Sequence, residues 1–177
     1  MDSRIIEFEK DRFVHYKFAA VSVAFVYCLY YISTRLSWHF IDNVNLIIHE
    51  AGHVLFLPFG NTLTVAGGSI LQILVPLIFF AYFFLNTAIY SAAVMAFWTG
   101  MSMVNVSVYA GDALKMQLPL LTGDTDGHDW NQLLFQFGLL RQTDLVANFI
   151  LILGVLCILA GFILALLTWL KNIKSQS

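Results

Sequence analysis

Five stretches of this chain are apolar and about long enough to cross a bilayer, and they fix the class of fold before any residue is considered for chemistry. Crossing the hydrocarbon takes about 20 mostly apolar residues. Within it, every backbone polar group must find a partner inside the protein, which favours helices. The stretches are residues 18–36, 40–59, 67–85, 87–109 and 145–170. The chain is 59% hydrophobic and 11% charged, where soluble domains average about 45–50% and 25%. Its mean hydropathy is +0.78. These features predict an all-α, polytopic membrane protein of about five transmembrane helices, with residues 1–177 forming a single integral membrane domain.

Other classes are excluded. A net charge of -2 without a basic stripe leaves no footprint for nucleic acid. Cys28 and Cys157 lie in apolar stretches without C-x-x-C spacing, so they read as small hydrophobes. Residues 1–17 mix acidic and basic side chains, and no small-residue cleavage site follows the first apolar run. That run is expected to be a retained anchor.

The second stretch is unlike the others. It carries Asp42, Asn43, Asn45, His49, Glu50 and His53 and ends near Pro58. Ionisable groups at membrane depth are costly and face protein or water. His49-Glu50-Ala51-Gly52-His53 matches H-E-x-x-H. Residues four apart share a helix face, so His49 and His53 can present two imidazoles to one metal ion, with Glu50 as general base. The expected cofactor is Zn2+, and the expected chemistry is hydrolysis by a metal-activated water. Asn45 falls one turn before His49 and is expected to orient an imidazole.

A catalytic zinc usually takes three protein ligands. The long polar segment 111–144 offers Asp112, Asp124, Asp126, His128 and Asp129 for the third. Residues 129–140 predict a short amphipathic helix with Asp129 as its N-cap. Residues 60–66 have β character and predict an extended strand or hairpin edge. Gly67 and Gly68 suit either a substrate approach or close helix packing. Gln72 is a candidate oxyanion donor. Asn105 shares a helical stripe with Ser102, Tyr109 and Asp112, and can also line the site. The Lys and Arg distribution favours a cytoplasmic N-terminus, with the end of the second stretch and segment 111–144 together on that same side.

Residues 47–53 in such a setting resemble the site-2 protease family of intramembrane zinc metalloproteases. Gly68-Ser69-Ile70-Leu71-Gln72 looks like the family's G-P-x-x-N element, with Ser69 in place of proline and Gln72 in place of asparagine. Leu118-Pro119-Leu120 followed by Asp126-Gly127 looks like its N-L-x-P…D-G element, across a longer gap than usual. The resemblance spans about residues 40–135, the implied catalytic core. It implies peptide-bond hydrolysis in or next to the bilayer, acting on a membrane-embedded or membrane-adjacent protein. It also ranks Asp126 first as third ligand, ahead of His128 and Asp129. A substrate of this kind must present an unwound strand, which residues 62–66 are expected to pair with. The alternatives are a metal-binding membrane protein without hydrolysis and a metallohydrolase acting on a lipid or small amide.

Overall fold

The computed structural model describes residues 3–118 and 127–174, and among these there is no strand. The helices are α1 (Ser3–Ser33), α2 (Phe40–Phe56), α3 (Asn61–Leu85), α4 (Ile89–Gly111), α5 (Asp129–Gln136) and α6 (Thr143–Lys174). Short 3-10 turns at Leu57–Phe59 and Leu140–Gln142 precede α3 and α6. Four segments are long and apolar enough to cross a membrane: Phe13–Ser33, Asn61–Leu85, Ile89–Gly111 and Leu140–Lys174. The all-α, multi-pass architecture is therefore as the sequence implies. Its surface is apolar, with Val23, Phe79, Leu156 and Ile163 exposed, whereas Asp42, Asn45, Gln72, Thr99 and Ser102 are buried. Such a distribution suits lipid outside and interhelical hydrogen bonds inside.

Helices α1, α4 and α6 form the apolar core. Phe18 stacks on Trp169 with ring centroids 4.6 Å apart, and Phe25 stacks on Phe162 at 4.2 Å. Phe97, Val104 and Ile158 fill the space between them. The extensive α4–α6 contact depends on small residues. A Cβ placed on Gly100 would lie 2.6 Å from the Gly154 carbonyl oxygen and 2.5 Å from Ile158. Bare glycines let the two backbones meet where hydrophobic driving force between helices is absent.

These pairings also settle the direction of each helix. Phe18 meets Trp169 near the end of α6, and Trp169 donates its indole N–H to His15 at 3.0 Å. The start of α1 and the end of α6 therefore share one end of the bundle. At the other end Tyr31 reaches Asp42, Gly111 packs on Ala147, and α5 docks on α3 and α4. Both chain connections flanking α2 lie toward this second end. The expectation that α2 is a crossing helix is corrected accordingly. Its 17 residues rise about 25 Å, short of a span, and it packs mainly along α3. The end of α2 and the end of α4 consequently lie at the end of the bundle opposite the start of α1, the reverse of the expected placement beside the N-terminus.

Two further expectations are revised. Residues 61–66 are the opening turns of α3 rather than an extended edge. Gly60, at φ 93°, makes the break. Thr64 then donates both its amide and its hydroxyl to the Gly60 carbonyl, at 2.9 and 3.0 Å, which starts the helix despite its β-branched residues. These residues therefore offer no strand edge to a substrate. In α5 the N-cap is His128, whose Nδ1 accepts the Asn131 amide at 3.2 Å, and Asp129 is the first helical residue.

Substituting Gly100→Val should force α4 and α6 apart and lower stability by about 1–3 kcal/mol, the usual cost of overpacking. Unfolding in detergent, followed by circular dichroism, measures this. A variant as stable as the parent would show that the glycine contact carries no weight.

Candidate metal centre

The candidate site is built on the crossing of α2 over α3. Gly52 faces Gly67 so closely that a Cβ on Gly52 would lie 2.2 Å from the Gly67 carbonyl oxygen. One turn earlier on α2, the His49 imidazole lies over Gly68, where an added Cβ would be 2.5 Å from its Nε2. The paired glycines thus serve helix packing at Gly52 and Gly67, and Gly68 makes room for an imidazole.

His49 and His53 project from successive turns of α2, with ring centroids 4.9 Å apart. Both turn Nε2 toward Oδ2 of Asp129, at 2.9 and 3.3 Å. One ligand atom from each of the three residues lies within 4.8 Å of the others. The Nδ1 atoms face pure acceptors: Gln72 Oε1 at 3.2 Å from His49, and the Thr64 carbonyl at 2.8 Å from His53. In the neutral rings the proton therefore sits on Nδ1, and Nε2 is a bare lone pair. Two such lone pairs facing a carboxylate oxygen repel unless a cation or a proton lies among them. Two imidazoles and a carboxylate are also a donor set known from catalytic zinc sites. The residues present fit a metal ion.

Asp129 reaches this position because α5 is pinned on several sides. Trp130 donates to Ser69 Oγ at 3.1 Å, Asn131 to the Ala113 carbonyl at 2.8 Å, and Gln136 to Thr62 Oγ1 at 2.8 Å. The Tyr109 hydroxyl accepts the Asp129 amide at 3.0 Å and donates to Oδ2 at 3.4 Å. Burial alone would raise the Asp129 pKa. When the imidazoles are protonated and no ion is bound, their Nε2–H bonds to Oδ2 outweigh it and hold the carboxyl below its ordinary value.

The other candidates fall elsewhere. Asp124 and Asp126, the latter favoured by the family resemblance, lie outside the described residues. His128 is almost fully buried, with Nδ1 capping α5 and Nε2 3.5 Å from Asp112 Oδ2. Asp112 in turn accepts the amides of Gln117 and Leu118 at 3.0 and 2.8 Å. Asn45 points away from the imidazoles, accepting from Trp98 at 3.0 Å and Ser102 at 3.2 Å. Gln72 and Asn105 are bonded to each other behind His49. Glu50 is exposed, and no hydrogen bond to its carboxylate is found among the described residues. The contributions of Thr64 and Trp130 are missed by sequence reasoning, and Gly68, expected to suit substrate approach or helix packing, instead makes room for His49. Toward the α5 side, the sequence signals were the Tyr109–Asp112 stripe and the candidates His128 and Asp129 at the predicted helix start.

Comparisons with protein-family models, with curated proteins and with solved structures find no match for this chain.

Metal content of the purified protein, read by mass spectrometry, should drop to background in His49→Ala, His53→Ala and Asp129→Ala. It should persist in His128→Ala. Gly68→Ala, which crowds the His49 ring, should weaken binding roughly tenfold, in line with the loss of a ligand's supporting contact. Undiminished metal in Asp129→Ala would place the third ligand elsewhere.

Proposed function

We propose that this protein is an intramembrane zinc metalloprotease related to the site-2 protease family, hydrolysing peptide bonds of membrane-embedded or membrane-adjacent proteins. The observation that carries the reading is the convergence of both H-E-x-x-H imidazoles with a carboxylate on a membrane-embedded helix bundle. His49, His53 and Asp129 would hold the zinc. When bound, zinc supplies Lewis acidity toward a water and the scissile carbonyl.

The remaining steps belong to the chain. Glu50 follows His49 directly and stays exposed, so its carboxylate is open to a water at the accessible side of the cluster. It takes the water's proton as oxygen attacks the carbonyl carbon. It then passes that proton to the amine nitrogen as the C–N bond breaks. Glu50 shares a helix stripe with Ile47 and Val54, both exposed. Substrate thus reaches the base across an apolar surface, which suits a membrane segment better than a soluble peptide.

Sidedness follows from charge. Arg4, Lys10, Arg12, Lys17, Lys171 and Lys174 belong to the end of the bundle where the helices α1 and α6 begin and finish, whereas Arg35, Lys115 and Arg141 belong to the end with the site. The excess favours a cytoplasmic N-terminus and puts the metal centre on the opposite face. Labelling of single cysteines at positions 115 and 174 from either side checks this. Reaction of position 115 from the cytoplasm would invert it.

Glu50→Gln should keep zinc and lose roughly 10²–10⁴-fold in turnover, the usual worth of a general base. Cleavage of transmembrane peptides in vesicles, read by mass spectrometry, measures it. Wild-type turnover in this variant would sink the hydrolase reading. Hydrolysis of lipid amides in place of peptides would reassign the substrate.

A further inference from the structure

We infer that Asp42 is a positioning residue for the metal centre, setting the polarity of His49 through Asn105 and Gln72. The inference rests on the metal reading above and identifies what decides which imidazole nitrogen faces the ion. Asp42 is 3% exposed. Its Oδ2 accepts the His39 backbone amide at 2.7 Å, and its Oδ1 accepts from the Tyr31 hydroxyl and, at 3.0 Å, from Asn105 Nδ2.

A carboxylate can only accept. Asn105 must therefore turn its amino group toward Asp42 and its oxygen away. That oxygen accepts from Gln72 Nε2 at 2.8 Å, which turns Gln72 Oε1 toward His49 Nδ1 at 3.2 Å. An amide oxygen also only accepts, so Nδ1 carries the proton. The bare Nε2 then points at the site, 2.9 Å from Asp129 Oδ2. Each link removes the alternative orientation of the next.

Without a donor-free group at position 42 the chain of amides has no preferred direction. A reversed Gln72 would donate to Nδ1, moving the proton to Nε2, where it blocks a metal. Capping of α2 alone does not explain the residue, because a capping box also accepts Gln at this position. Gln72 is 2% exposed, so little water competes for these bonds, and low dielectric strengthens them. The chain ties α1, α2, α3 and α4 to the orientation of one ring.

The test is zinc affinity by chelator competition on the full-length protein in detergent. Gln72→Leu should weaken binding roughly 10–100-fold, the range for loss of a ligand's hydrogen-bond partner. Asn105→Leu should weaken it about tenfold, while adding nothing in the Gln72→Leu background, because it acts only through Gln72. Thr99→Val, buried in the same helix but outside the chain, should bind as wild type. Nitrogen-15 NMR of the zinc-loaded protein should show a hydrogen-bonded His49 Nδ1 proton that Asn105→Leu loses. Should the leucine variant not fold, Asn105→Ala adds no bulk and carries the same expectation.

Wild-type affinity in a folded Asn105 variant overturns the inference. Additive losses in the double variant do the same, since independent structural effects add. Both outcomes leave the metal reading standing. Zinc binding that is unaffected by His49→Ala overturns the metal reading, and the inference falls with it.

Discussion

The close crossing of α2 over α3 is the contact on which the rest of the site depends. Gly52 and Gly67 let two backbones touch where any side chain would hold them apart. That approach seats His49 against Gly68 and brings Gln72 to its Nδ1 and the Thr64 carbonyl to His53. Helix α5 then closes over the two imidazoles with Asp129. A wider crossing would leave two histidines on a helix without supports and without a third partner. In lipid no hydrophobic force draws helices together, so the fit of small residues must do it.

Much of this was legible in the sequence. The apolar runs predicted the helical, multi-pass class, and H-E-x-x-H placed His49, Glu50 and His53 on one segment. The path of α2 was not legible, because hydropathy cannot separate a helix that crosses from one that packs inside the same end. The direction of α1 against α6, carried by Phe18, Phe25, Phe162 and Trp169, decides that. The β-branched residues around Thr64 suggested a strand, yet a long apolar helix beginning at Gly60 overrides local propensity. The third partner was ambiguous for a similar reason. Asp126, His128 and Asp129 lie within four positions, and only the docking of Trp130, Asn131 and Tyr109 turns Asp129 inward.

Among the described residues, two systems of buried polar groups anchored on α2 have different tasks. Asn45, Trp98 and Ser102 hold α2 to α4 without touching the imidazoles. Asp42, Asn105 and Gln72 lead to His49. The first is an interhelical contact of the kind common in membrane bundles. The second has direction, running from a group that only accepts to a nitrogen that must be bare. A count of hydrogen bonds would not distinguish them; the donor and acceptor sense along each chain does.

The Asp112 carboxylate has a consequence for how this architecture can vary. Oδ2 of Asp112 accepts the Leu118 amide and lies 3.5 Å from His128. Leu118 and His128 therefore both lie beside one side chain. Joining two fixed ends that already lie close costs little more as the connection lengthens, about 0.6 kcal/mol for each doubling. Insertions there would leave Asp129 in register with the imidazoles. This is a place where relatives of such a protein could differ in length, acquiring new surface beside the His49–His53–Asp129 cluster without rebuilding it.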